Sequence, residues 1–502
     1  MKKSSIRTTR TRRRPAAAAL SALTVLTLLT GCAGAAQQGS PTTSQGGQIT
    51  QQGGSTISQE NQTGQAAPQS GTQPLSEDGF SLAEAVYPAS VTHPDEADYT
   101  DPATGEFDSD GYFEEFDAWQ QARLERTRLT EEEDRAVDGF ARDSIRQFLS
   151  ETEGENRVYS PVNVYLALAM LAETTDGVSR QQVLDALGLE RIEDLRTTAA
   201  DLWNTCYVDD GTVTCRLANS MWLQVGLEYN QETVERLARE YFASSYQGLM
   251  GSPEYDKKLQ TWLDEQTGGL LKEEASGIEL SLETVLALAS TIYYKASWTS
   301  EFMEDQTKEE VFHGTQGDQR HPFLHNSSQQ LYYEGEQFTA AALGLNNSGS
   351  MWLFLPEEGT APEELLQGDE IYEALFAPDK GDKWKPMMVN LSMPKFDVVS
   401  DLDLRDGLME LGIQDVFDKE IADFSPLTQA VEEIFLSQAK HAARVTVDEK
   451  GVEAAAYTVL MMEAGGSMMP EAVDFVLDRP FLFVITSEDG LPLFAGVVNQ
   501  LG

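Results

Sequence analysis

The order in which apolar periodicities change along the chain restricts its fold more than any other feature. Helical spacing comes first: from Glu131 onward Val137, Phe140, Ile145, Phe148 and Leu149 make one apolar stripe. Ser160-Pro161 then opens a second apolar helix that runs through Leu171. Strand-like runs follow at Ala218 to Gln224, Ser290 to Lys295, Ser350 to Leu355, Met388 to Met393, Arg444 to Asp448 and Phe481 to Thr486. Helical stretches at Gln231 to Phe242 and Leu402 to Leu411 separate them. Helices followed by antiparallel-type strands give an α+β fold and exclude a strictly alternating βαβ chain. No internal repeat is present, and 41% hydrophobic residues supply a core.

The N-terminal 31 residues are of another kind. Lys2, Lys3, Arg7, Arg10 and Arg12 to Arg14 precede an apolar run from Ala16 to Thr30, shorter than the about 20 residues a membrane span needs. Residues 1–31 therefore read as a signal peptide. Leu29-Thr30-Gly31-Cys32 resembles the lipobox of bacterial lipoproteins, which implies lipid attachment at Cys32 and a body held outside the cytoplasmic membrane. The formal charge of −46 becomes more negative once those basic residues leave, so binding of nucleic acid through a basic surface is excluded.

Residues 32–74 are Gln, Gly, Ser, Thr and Ala with Glu60 as the only charge and no aromatic ring, a composition for a flexible tether. Residues 75–125 are acidic but carry Tyr87, Tyr99, Phe107, Tyr112, Phe113, Phe116 and Trp119, and are expected to pack on the main body as a partly ordered extension. The carboxylates of Asp101 to Asp110 lack the Gly and closing Glu of an EF-hand, so no metal is expected there. Beyond Cys32 the cysteines are Cys206 and Cys215, flanking the turn signal Asp209-Asp210-Gly211. In an oxidising compartment a bridge between them is the expectation, and two buried free thiols or a metal pair are the alternatives.

Catalytic patterns are scarce. Ser437 and Lys440 fit a Ser-x-x-Lys nucleophile, but the companion Ser-Asp-Asn and Lys-Thr-Gly are missing, as is Gly-x-Ser-x-Gly. Of the five histidines, His321 and His325 have helical metal-ligand spacing, but Pro322 breaks the helix that would align them. No phosphate-binding loop or dinucleotide fingerprint occurs. The chain reads as a non-enzyme without cofactor or metal.

The segment Val447 to Thr458, followed by Val459 to Pro470 and Asp478 to Ile485, resembles the corresponding region of the serpins. The likeness covers residues 126–502, with further motifs in family order: Ser160-Pro161, Leu217 to Trp222, Ile292 to Trp298, Phe354 to Pro356, Leu391 to Phe396 and Pro492 to Gly496. It implies a three-sheet α+β body with eight to nine helices and an exposed reactive-centre loop. It further implies a large sheet that accepts the cleaved loop as an extra central strand.

The loop's own residues suit insertion. Glu449 precedes a hinge of small residues: Gly451, Val452, Ala454, Ala455, Ala456 and Thr458. Alternation places Val452, Ala454, Ala456, Thr458 and Leu460 toward the body and Glu453, Ala455, Tyr457 and Val459 toward solvent, so the only charge and the only ring fall outside. Val452 replaces the Thr or Ser usual in the family. About ten inserted residues add ladder hydrogen bonds worth on the order of 1 kcal/mol each, so the uncut form is metastable.

The resemblance implies an inhibitor of serine proteases, consumed once, and a monomeric one. A non-inhibitory serpin serving as a surface binding or structural module is the alternative. Family spacing from Gly451 places the scissile bond at Gly465-Gly466, while counting back from Pro480 lands near Met468 and Met469. The first suits elastase-like or subtilisin-like proteases, the second chymotrypsin-like ones. Ser160, Asn163 and His441 match the polar cluster under the sheet opening, with Ser290 where the family usually has Asn. Trp298, with Lys395 and Glu449 as an ion pair, is expected to guard the top of that opening.

Overall fold

The computed structural model describes residues 79–501 except 89–90, 283, 377–382, 432, 437 and 453–471. These residues lie in one compact unit, Gly71–Gly502. Cys32, Ala454, Ala455, Ala456, Thr458, Gly465, Gly466, Met468 and Met469 fall outside the described set.

After α1 (Ser109–Leu124), the body opens with α2 (Glu131–Leu149), started by local chemistry. Thr130 Oγ1 accepts the Glu133 N–H at 3.4 Å while the Glu133 carboxylate accepts the Thr130 N–H at 2.8 Å. This reciprocal cap, with acidic residues at 131–134 beside the positive end of the helix dipole, fixes the first turn. Its stripe of Val137, Phe140, Ala141, Ile145, Phe148 and Leu149 is buried. In α3 (Pro161–Thr174), Ser160 caps the Asn163 N–H at 3.3 Å, and every position but Ala167 is buried. A helix apolar on all sides belongs at the centre of a body, and α3 lies there. Its one carboxylate, Glu173, is met by Arg196 at 2.9 and 3.0 Å, Arg236 at 2.7 Å and the Tyr241 hydroxyl at 3.0 Å. The helices α4 (Gly177–Ala186), α5 (Ile192–Cys206) and α6 (Gln231–Glu240) complete this layer, while α7 (Pro253–Gln266) packs on the other face of the sheet with Ala218 and Trp222 in a separate cluster.

One sheet contains β1 (Ser81–Ala83), β3 (Val208–Asp209), β4 (Thr214–Gln224), β5 (Ala243–Gly248), β6 (Leu286–Ser297), β12 (Phe396–Asp403), β13 (Lys440–Val447) and β14 (Gly451–Val452). Its order is β1-β5-β4-β6-β14-β13-β12, with β3 hairpinned onto β4. The other strands are β2 (Arg157–Tyr159), β7 (Lys308–Gly314), β8 (Gly317–Glu334), β9 (Phe338–Gly344), β10 (Ser350–Pro356), β11 (Trp384–Pro394), β15 (Ala472–Val476), β16 (Phe481–Thr486) and β17 (Pro492–Val498). They run β15-β11-β8-β9-β10-β16-β17-β2, with β7 on β8. The long β8 pairs with β7 early and with β9 late, which joins the second and third expected sheets into one network. Among the described residues eleven α-helical segments occur, two of them single turns, so the body is α+β as expected. No described helix is long and apolar enough to cross a membrane.

Two expectations change. The helix expected at Leu402 to Leu411 begins only at Arg405, because Leu402 and Asp403 pair with His441 and Lys440 in β12 and β13. Cys206 and Cys215 are buried free thiols, not a bridge. The Asp209-Asp210-Gly211 turn forms, but α5 continues through Cys206 and the hairpin register sets Val208 opposite Cys215. Burial pushes the Cys206 thiol well up and the Cys215 thiol up to about 12, so both stay protonated and unreactive.

Candidate functional site at the opening of the eight-stranded sheet

The two residues of β14 are a strand begun and not continued within the described chain. Gly451 pairs with Ser297 and Val452 with Ala296 on β6, and Val452 also pairs with Val447 on β13. Among the described residues β6 and β13 are not paired with each other; β14 alone bridges them. Below Val452 no described residue pairs with the facing edges of β6 and β13, the ladder positions that one more strand would take. Val452 is 2% exposed and points inward, where alternation places it.

A tight turn delivers the chain to this position. Asp448 Oδ1 accepts the N–H groups of Lys450 at 2.8 Å and Gly451 at 3.2 Å. Trp298 closes over the turn: its backbone N–H donates to Lys450 O at 2.9 Å and its indole N–H to Asp448 O at 2.9 Å. Lys395 donates to Glu449 at 2.8 Å and Thr307 to the other oxygen at 2.9 Å. Partial burial acts to raise the Glu449 pKa, but these hydrogen bonds outweigh it and hold the carboxyl below its ordinary range. The expected ion pair and tryptophan thus stand together at the entry, joined by Thr307, which the sequence reading did not single out.

Gly451 is required by proximity. A Cβ there would lie 2.2 Å from Ala296 O and 2.8 Å from the Ser297 Cα, inside the contact limit of rigid backbone. Gly451→Ala is expected to unseat β14 at a cost of about 1–3 kcal/mol. Urea unfolding of the variant beside the wild type measures that cost.

Beneath the opening the polar cluster assembles. The Ser160 N–H donates to His441 Nε2 at 3.1 Å, Asn163 Nδ2 donates to Ser290 O at 3.1 Å, and the Ser290 hydroxyl reaches Asn219 Oδ1 at 2.7 Å and also Asn163 Oδ1. Asn219 Nδ2 donates to Tyr241 O at 2.9 Å. Ser290 therefore bridges α3 to β4 directly, and Asn219 is a member the sequence reading missed. It stands in a strand whose other central residues are buried, and the only signal for it was an amide in such a run.

Burial lowers the His441 pKa from 6.5 to about 4, so the ring is neutral and accepts the Ser160 N–H. The folded value lies below the unfolded one. Stability from the neutral ring is therefore fully present above about pH 6.5 and is lost as pH falls toward 4, by roughly 3 kcal/mol. Urea unfolding midpoints at pH 7, 5.5 and 4 should show that loss in the wild type and a flatter profile in His441→Gln.

The remaining histidines make no metal centre. His325 lies on β8, not a helix, with Nε2 2.9 Å from Glu310. No group of three or more metal-ligating side chains occurs among the described residues.

A sequence model described as Serpin (serine protease inhibitor) matches residues 135–501. The chain belongs to the serpin family. Relatives include a serpin-like protein of Thermococcus kodakarensis, 28% identical over 370 residues that cover 72% of this chain and 84% of the relative. Serpin-Z1A of Triticum aestivum is 29% identical, covering 69% and 90%. Alpha-1-antiproteinase S of Cavia porcellus is 28% identical, covering 72% and 89%. Among solved structures, the thermophilic serpin tengpin in its native state superposes with a TM-score of 0.66 at 23% identity, covering 75% of this chain and 96% of that one. Thyroxine-binding globulin with thyroxine gives 0.63 at 21%, covering 73% and 99%. These superpositions establish the serpin fold. The sequence expectation of family and fold class agrees with them.

Proposed function

We propose that this serpin is a single-use inhibitor of serine proteases that traps its target covalently by inserting its cleaved loop between β6 and β13. The observation that carries the reading is the two-residue β14, seated between those strands, which among the described residues are bridged by it alone. The target's serine hydroxyl would attack the carbonyl carbon of the scissile bond, proposed at Gly465-Gly466. The bond breaks, the new amine leaves on the C-terminal side, and the N-terminal side remains esterified to the protease. Insertion of residues 453 onward then carries the ester away before water completes hydrolysis. Small residues flanking the proposed bond suit shallow-pocketed, elastase-like or subtilisin-like enzymes. The lipobox-like Cys32 supports display of the inhibitor on the outer face of the cell envelope.

Incubation with elastase, subtilisin and chymotrypsin followed by denaturing electrophoresis tests the reading. A stable adduct at the summed mass is expected with at least one of the first two. Cleavage by all three without an adduct would replace the inhibitor with a non-inhibitory binding module. Mass spectrometry of the released C-terminal peptide locates the bond.

A further inference from the structure

We infer that residues 80–128 form a strap that locks the β6 side of the opening, so that release of the strap sets the rate of loop insertion. The inference rests on the insertion reading above. Its first observation is position: β1 is an additional edge strand on β5, at the far side of the half-sheet that ends in β6. The Gln247 N–H donates to Phe80 O at 2.7 Å, and the Phe80 ring stacks on Tyr255 of α7 at 5.5 Å. The chain then crosses the helical layer, with the Val86 N–H on Ala238 O at 3.1 Å and Tyr87 stacked on Trp203 at 5.4 Å.

The strap next grips the turn between β3 and β4. The His93 N–H donates to Asp210 O at 2.8 Å, the Trp119 indole donates to Asp210 Oδ2 at 3.0 Å, and the His93 ring stands edge-on to Trp119 at 4.7 Å. Trp119 is the buried residue of α1, and its hydrogen bond is buried too. One turn on, Arg123 donates to Asn347 O at 3.1 Å, pairs with Glu488 at 2.5 Å and lies 5.0 Å from the Trp119 ring centre.

Asn347 connects the strap to the entry site. It sits in the turn between β9 and β10, and its Nδ2 donates to Thr212 Oγ1 at 3.3 Å. The adjacent Asn346 holds the top of β6: its N–H donates to Ser297 O at 2.8 Å and its Nδ2 to Trp298 O at 3.1 Å. Ser348 adds a 2.7 Å hydrogen bond to the Tyr294 hydroxyl on the same strand. The strap thus fastens the turn that clasps the strand flanking the slot.

A full additional strand needs β6 and β13 held two strand spacings apart, roughly 9.6 Å, along its whole length, and among the described residues β14 sets that spacing at the top alone. Contacts of 2.5–3.3 Å that tie the β6 half to turns of the other sheet do not survive a shift of even a quarter of that distance. They therefore stabilise the uninserted form selectively and raise the barrier to insertion.

The test uses the full chain, Arg123→Ala, and the double variant Trp119→Ala/Arg123→Ala. Each is incubated with a synthetic peptide of the sequence Val452–Gly465, and uptake is followed by native electrophoresis and intact-mass measurement. Uptake is expected to be at least fivefold faster in Arg123→Ala and faster still in the double variant; equal rates overturn the strap. Melting temperatures of uncut and loop-nicked protein are compared in parallel. The variants should lower that of the uncut form only, and equal lowering of both would make residues 80–128 an ordinary stabilising segment and overturn the lock. If no protein takes up peptide and nicking leaves the wild-type melting temperature unchanged, the insertion reading itself fails and the strap with it.

Discussion

Cleavage within residues 453–471 is expected to raise the melting temperature by on the order of 10 °C or more, the reverse of what a nick in an ordinary surface loop does. The reason is the place that β14 opens between β6 and β13, which among the described residues have no other strand between them. About ten residues entering between them gain hydrogen bonds on both sides, each worth about 1 kcal/mol net, for a total on the order of 10 kcal/mol. For a body near 370 residues, with unfolding entropy of roughly 2 cal/mol/K per residue, that corresponds to about 13 °C. Methyl groups of the inward residues add burial beyond the ladder. Scanning calorimetry on uncut and nicked protein measures the shift, with electrophoresis confirming that both fragments remain associated. An unchanged or lower melting temperature would mean that the opening beside β14 is not a slot, and the inhibitor reading would fall.

How much of this was visible in the sequence differs from part to part. The entry was legible because its chemistry is local: Asp448, Gly451 and Val452 form a turn and a strand start whose residues are consecutive, and Trp298 sits in a motif of its own. Ser160 was legible as a helix start, whereas Asn163 and His441 were placed in the cluster by the family resemblance alone. Asn219 and Thr307 were not legible, because their roles depend on which strands become neighbours, a property of the assembled sheet. The cysteine pair shows the same limit in reverse. The turn signal correctly gave the turn, but the bridge expected across it does not form: the register sets Val208, not Cys206, opposite Cys215. In residues 75–125 the aromatics signalled packing without naming partners. Tyr87 finds Trp203, and Trp119 finds Asp210, across more than 90 residues of chain.

The parity of the hinge gives the sharpest test of mechanism. Ala454→Arg is expected to abolish adduct formation and convert the protein to a substrate, cleaved at the same bond without the rise in melting temperature. Ala455→Arg, one residue away, should retain most of the inhibition. Val452 fixes the phase: it is paired in β14 and points inward, so alternation sends position 454 into the body and 455 to solvent. An arginine at 454 would have to bury an unpaired guanidinium beneath the sheet. The cost is several kcal/mol, charged at the second inserted pair, before most of the ladder has formed to offset it. The same charge at 455 remains in water and costs close to nothing. Insertion competes with hydrolysis of the acyl-enzyme, so the outcome is a ratio of rates. A barrier increase of about 3 kcal/mol slows insertion more than a hundredfold and hands the ester to water. Stoichiometry titrations on the two variants read this directly. Equal behaviour at 454 and 455 would show that the loop does not enter the sheet in the phase set by Val452, whereas failure of 454 alone ties inhibition to a strand whose inward face must be small and uncharged.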